Sequence, residues 1–189
     1  QDLIVSSPRN GNELRNLLYT ALEYKDGPFA IRYPKASSEE FDQNLQAELL
    51  PIGSWEVLQN GNDVAILAVG PLTYLALEAA EELKKLDISC EVVNCRFIKP
   101  MDENYLEFML EKFSSVLTIE EGVRSGGFGE GVLSWLSSNN YKGNSSIISL
   151  PDKFVEHGPR DLLLEKWGIN KEEIIKTVTS FKSSLKTEF

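Results

Sequence analysis

The stretch DVAILAVGPLTYLALEAAEELKKL, residues 63–86, decides the fold. Val64 to Val69 is an unbroken apolar run that stops at Gly70 and Pro71, which is the signature of a strand buried on both faces. Pro71 then opens a helix, where its missing N–H costs nothing. Apolar residues follow one stripe, and Lys84 and Lys85 stand near the end, where the helix dipole favours cations. A doubly buried strand running straight into an amphipathic helix is the repeating unit of a parallel sheet.

The alternation continues outward from this unit. ISCEVVNCRFI (88–98) reads as the next strand, DENYLEFMLEKF (102–113) as a helix, SVLTIEE (115–121) as a strand and GEGVLSWLSSN (129–139) as a helix. SSIISL (145–150) is a further strand, and helices are expected from Arg160 and Asn170. Upstream, GSWEVLQ precedes NGND at 60–63, and Asn-Gly tolerates the positive φ angles of a tight turn, which predicts a hairpin with the strand at Val64. The fold class is α/β: three layers, with a mostly parallel sheet and helices on both faces.

Residues 1–36 form a separate strand, helix and strand. Leu3 to Val5 is apolar, Asn10 or Asn12 can cap a helix, and Leu14, Leu17, Leu18, Ala21 and Leu22 recur at helical spacing. Phe29 to Ile31 follows as a buried strand. One such unit cannot bury both faces of a sheet alone, so residues 1–36 are expected to close a larger domain. The connection at 37–50 is small, acidic and amide-rich without a firm period, and a second domain is expected over 51–189. The chain opens without Met on what is already a strand, and reads as a piece of a longer protein.

Composition excludes several functions. The formal charge of −10, from 29 acidic and 19 basic residues, makes nucleic acid a poor partner. No stretch approaches a membrane span and the first residues lack a signal-peptide pattern, so a cytoplasmic location is expected. Cys90 and Cys95 lie at an odd separation on one expected strand, which points them to opposite faces and makes neither a disulfide nor a metal pair. His157 is the single histidine, so no site can use several imidazoles.

In open α/β sheets ligands sit at the carboxyl ends of strands. The first such end is IRYPK at 31–35, where Arg32 and Lys35 flank Tyr33 and Pro34 and offer positive charge to an anion; the alternative is a solvated basic strand end. GPLT (70–73) is another. EEGVRSGGFGEG (120–131) sets Gly126, Gly127 and Gly129 before a helix. That suits either a phosphate or close packing of the helix start, and Glu120 and Glu121 argue against the phosphate. In RFIKPMD (96–102), Arg96, Lys99 and Asp102 fit a turn with Asp102 capping the next helix. LPDKFVEHGPR (150–160) gathers Asp152, Glu156, His157 and Arg160, an acid–base-looking group that is also compatible with a structural loop. No catalytic triad, carboxylate pair or metal spacing follows from these residues.

Taken together, SPRNGNELRNLLYTALEYKDGPFAIRYPK, VLQNGNDVAILAVG, VVNCRFIKPMDE, TIEEGVRSGGFGEGVLSWL and LPDKFVEHGPRDLLLEKWGI resemble the carboxyl-terminal third of the 1-deoxy-D-xylulose-5-phosphate synthase family, within the transketolase superfamily. LPDKFVEHG is the most specific of these; the others also fit relatives such as keto-acid dehydrogenase β subunits. The resemblance implies a homodimeric transferase that uses thiamine diphosphate and Mg2+ to condense pyruvate with glyceraldehyde 3-phosphate. It implies that residues 1–36 end the pyrimidine-binding domain and 51–189 are the transketolase-like C-terminal domain. The cofactor, metal and catalytic residues are implied to lie in the remainder of the parent enzyme, leaving none here and the chain inactive alone. The family segment matching IRYPK reads RYPRG, and its second basic residue contacts the substrate phosphate, which implies that role for Lys35, with Arg32 beside it. Lys35 lacks the planar fork of an arginine and Ala36 replaces the glycine. A keto-acid dehydrogenase β subunit and a non-catalytic dimerisation or regulatory module are the competing readings.

Overall fold

The computed structural model describes residues 2–38 and 40–184. Their elements, in chain order, are β1 (Ile4–Ser6), α1 (Gly11–Glu23), β2 (Phe29–Ile31), β3 (Glu56–Gln59), β4 (Val64–Ala68), α2 (Leu72–Lys84) and β5 (Cys90–Asn94). There follow β6 (Phe97–Lys99), α3 (Glu103–Lys112), β7 (Ser115–Val123), α4 (Phe128–Ser138), β8 (Asn144–Leu150), α5 (Arg160–Lys166) and α6 (Lys171–Ser184).

The larger sheet has the order β3-β5-β4-β7-β8, parallel except for the β3 edge. β4, the Val64 strand, lies at its centre and is buried throughout, as its uninterrupted apolar run predicts. On one face Val64, Ile66, Val92 and Leu117 pack against Ala76, Ala79, Ala80 and Leu83 of α2 and Ile174 and Val178 of α6. The alanines let α2 lie close to the sheet. On the other face Ala65, Leu67, Val93 and Val116 meet Leu106 and Met109 of α3 and Val132 and Leu136 of α4. Cys90 belongs to the first face and Cys95 to the second, as their odd separation requires.

Two expectations need correction. β3 and β4 do not form a hairpin: β5 lies between them, and β3 runs antiparallel to β5. Neither Asn60 nor Gly61 takes the positive φ of a tight hairpin turn. Instead the turn's polar groups face the loop before β5, with Asn62 N and Asp63 N donating to Ser89 O at 3.1 and 2.8 Å and Asp63 Oδ2 accepting from Ser89 N. Gly61 sits so tightly there that a Cβ would lie 2.1 Å from the Cys90 carbonyl carbon. The second correction is that 88–98 is not one strand. The chain leaves the large sheet after Asn94, turns at Arg96 and enters a second sheet as β6.

That second sheet has the order β2-β1-β6, with β1 parallel to β2 and antiparallel to β6. β6 therefore ties residues 1–36 to the rest of the chain through backbone hydrogen bonds. Arg96 makes the turn possible: its Nε and Nη2 donate to Ser54 O and Oγ at 3.0 and 2.9 Å, and its carbonyl accepts from Ser7 N.

α1 buries Glu13, Leu17 and Thr20, whereas Leu18 and Leu22 of the expected apolar stripe stay 50% and 71% exposed. The three-stranded sheet is too narrow to cover both apolar sides of the helix. The connection of 37–50 runs along α1 without regular structure. Asn12 Oδ1 accepts from Asp42 N, Asn16 Oδ1 from Glu48 N and Thr20 Oγ1 from Leu50 N, at 2.9, 3.1 and 2.9 Å. These acceptors stand four residues apart, one per turn on a single helix face.

Candidate functional site

β1, β2, β4 and β7 all deliver their carboxyl ends to one place, where the two sheets meet. Ser7, Arg32, Val69, Pro71 and Glu121 line a 90 Å³ pocket there. Beside it lies a groove of about 600 Å³, walled by Arg9, Asn10 and Gly11 at the start of α1, Lys35 to Ser38 beyond β2, and Arg160 and Asp161 at the start of α5. Tyr33, Pro34 and Pro71 border both. The structure thus separates the two expected cations: Arg32 faces the small pocket and Lys35 the groove.

Each has a local cause. Arg32 N donates to Ser6 O at 2.8 Å, the last bond of the β1–β2 ladder, and Pro34 cannot extend it. Burial raises the Glu120 pKa, opposed by the backbone hydrogen bonds from Gly129 and Phe128 and, less, by the charge of the nearby Arg32. Lys35 is exposed and, among the described residues, makes no ion pair.

The helix start beside Lys35 is not itself an anion cradle. Gly11 N donates to Ser38 Oγ, Asn12 N to Glu40 O, Glu13 N to Asn10 Oδ1 and Leu14 N to Asn10 O, so the free N–H groups of the first turn are all taken. Asn10 also donates through Nδ2 to Glu40 and to the Tyr74 hydroxyl, at 2.8 and 3.0 Å. An anion in the groove therefore gains no hydrogen bond from the start of α1.

Glu13 was not singled out by sequence, although an acid at the position four before Leu17 on a helix's buried side is a legible signal. It is 6% exposed, accepts from Arg9 N and Asn94 Nδ2 at 2.7 Å each, and lies 3.8 Å from Arg96. Burial raises its pKa, opposed by those hydrogen bonds and by the Arg96 charge. Glu91 is a similar omission, an acid inside an apolar strand, held at 1% exposure by Lys112 at 2.6 Å and the Tyr105 hydroxyl at 2.8 Å.

The glycine-rich loop holds its own carboxylate. Glu120 accepts from Phe128 N and Gly129 N at 3.0 and 2.7 Å, filling the start of α4 where a phosphate would sit. A Cβ on Gly129 would fall 2.5 Å from Thr118 Oγ1 and 2.8 Å from Ile147. Close packing, not ligand binding, accounts for that loop. Asp102 caps α3 through Tyr105 N at 3.0 Å and also accepts from Trp55 N. The group around His157 is dispersed: Arg160 forks onto Glu121, Glu156 pairs with Lys166, and His157 stays exposed.

Among the described residues no three His, Cys, Asp or Glu could hold a metal ion. Both glycine-bearing helix starts, of α1 and α4, are satisfied internally. Among the described residues no helix is long and apolar enough to cross a membrane.

Residues 53–174, which carry the five-stranded sheet, match the family described as transketolase, C-terminal domain. The chain belongs to that family. Within it, the chain is similar to the 1-deoxy-D-xylulose-5-phosphate synthases of Bacillus cereus (strain AH820) and Bacillus anthracis (strain A0248), 41% identical to each over 180 residues, which is 94% of this chain and 28% of theirs. It therefore spans little more than a quarter of their length. A solved structure described as split gene transketolase, inactive beta4 tetramer, has a TM-score of 0.85 and 30% identity, over 95% of this chain and 57% of its own.

Proposed function

We propose that this chain is the C-terminal part of a thiamine-diphosphate- and Mg2+-dependent transferase that condenses pyruvate with glyceraldehyde 3-phosphate to 1-deoxy-D-xylulose 5-phosphate and CO2. One observation carries the reading. The synthase alignment covers 94% of the chain, so it extends well outside the family match at 53–174 and necessarily includes the Lys35 strand end. In this reading residues 1–36 close the pyrimidine-binding domain, 37–50 link the domains and 51–189 form the C-terminal domain. Lys35 meets the acceptor phosphate, and Arg32 holds the strand end against Glu120.

The cofactor and its metal are held by the remainder of the enzyme. The enzyme is a cytoplasmic homodimer. Exposed Leu18, Leu22, Phe41, Leu45 and Leu49 on α1 and its connection support burial against further protein. The relative whose description names a tetramer supports self-association of this kind of chain.

The test is steady-state carboligation by the enzyme that carries this chain, with thiamine diphosphate and Mg2+, wild type against Lys35→Gln. Losing one charge-assisted hydrogen bond weakens the acceptor by about tenfold or more in KM. Unchanged KM for glyceraldehyde 3-phosphate, or turnover only with a lipoyl acceptor, refutes the reading. So does carboligation by the 189 residues alone.

A further inference from the structure

We propose that Arg9 is the second cation of this groove and grips the acceptor's phosphoryl group together with Lys35. This rests on the reading of the groove just given and adds a specificity residue to it. The loop SSPRNG reads as an ordinary helix entry, and only the folded chain brings Arg9 and Lys35 to the walls of one groove.

The state of the guanidinium sets Arg9 apart. Its side chain is 24% exposed, and its nearest carboxylate, Glu56, lies 3.9 Å from Nε, beyond hydrogen-bond reach. Among the described residues none accepts a hydrogen bond from its side chain; Glu56 holds it only in a loose ion pair, and its donors stay open to solvent. Arg96 and Arg160, also at this junction, differ. Arg96 donates to Ser54 and Arg160 to Glu121. Arg9 is nevertheless placed firmly, because its backbone N–H donates to the buried Glu13 carboxylate at 2.7 Å.

The charge in the groove favours the same occupant. Arg160 is neutralised by Glu121, and Asp161, the acid on the rim, is 93% exposed and 3.5 Å from Arg160. With Arg160 held by Glu121, Arg9 and Lys35 are the cations of the groove lining that no carboxylate holds through a hydrogen bond. A phosphate monoester carries close to two negative charges near neutral pH, which two cations match. Lys35 supplies a point charge and Arg9 the planar fork that Lys35 lacks.

The experiment compares glyceraldehyde 3-phosphate with unphosphorylated glyceraldehyde as acceptors for the holoenzyme carrying Arg9→Gln, Arg9→Lys or Lys35→Gln. Arg9→Gln is expected to raise KM for the phosphorylated acceptor about tenfold while leaving kcat and the glyceraldehyde reaction unchanged, with Arg9→Lys recovering part of the loss. If Lys35→Gln raises that KM and Arg9→Gln does not, the inference falls and the functional reading stands. If neither variant discriminates between the acceptors, both fall. Equal losses with both acceptors in Arg9→Gln make Arg9 structural, and that also overturns the proposal.

Discussion

Glu120→Ala removes the carboxylate that closes the start of α4, and the structure sets the size of the effect. Glu120 is 2% exposed and accepts two backbone hydrogen bonds, from Phe128 N at 3.0 Å and Gly129 N at 2.7 Å. Each donor left unpaired in a buried place costs about 1–3 kcal/mol, and loss of a helix cap measured as a whole costs about 0.5–2 kcal/mol. These describe the same bonds and do not add. Burial of the charge offsets part of the gain, as the raised Glu120 pKa records. A net loss of about 2–3 kcal/mol is therefore expected, from urea unfolding followed by far-UV circular dichroism. A loss below about 1 kcal/mol refutes the role assigned to the carboxylate, since water would then serve the two N–H groups equally well. The pH dependence is a second check. Because the folded pKa lies above the ordinary carboxylate value, the folded state binds the proton first as pH falls, and stability rises as pH drops through that window. Glu120→Gln lacks this contribution, so wild-type stability minus variant stability increases as pH falls through that window. A difference that decreases toward acid contradicts the assignment.

Gly129→Ala is expected to destabilise by about 1–3 kcal/mol in the same urea assay, because the new methyl overlaps Thr118 and Ile147 and outweighs the better helix propensity of alanine; a neutral or stabilising result would show that α4 can lift off the sheet. Asn10→Ala removes the α1 cap and the links to Glu40 and Tyr74, for a loss of about 1–2 kcal/mol; an unchanged urea midpoint contradicts it. Burial pushes the Cys90 thiol up to about 12 and raises Cys95 as well. Neither should react with Ellman's reagent at pH 8 until urea unfolds the chain, and rapid labelling of the native protein would contradict their placement.

What could be read from sequence divides by the range of the interaction. β4 was legible because a strand buried on both faces must be apolar at every position, a rule that needs no knowledge of its neighbours. The β3 edge was not. Asn60-Gly61 permits a tight turn, but whether the turn closes depends on Ser89, whose backbone takes the polar groups that a hairpin would have used. The break at Cys95–Arg96 was hidden for a similar reason: the apolar pattern of 88–98 continues through it, and only Ser54 and Ser7 reveal that Arg96 turns the chain into another sheet. The candidate site shows the same limit. Lys35 announced itself beside a proline at a strand end, whereas Arg9 sits in a turn where an arginine ordinarily points into water.

The connection decides the matter for Arg9. Asn12, Asn16 and Thr20 look like solvent-facing polar positions on α1, yet each accepts a backbone N–H from residues 42–50 and holds that segment along the helix. Ser38 and Glu40 bind the first N–H groups of α1 from the same segment. The chain that leaves β2 is thereby bent back over the helix start, carrying Lys35 to the groove that Arg9 already lines. The polar face of α1 therefore shapes the groove by fixing where Lys35 sits.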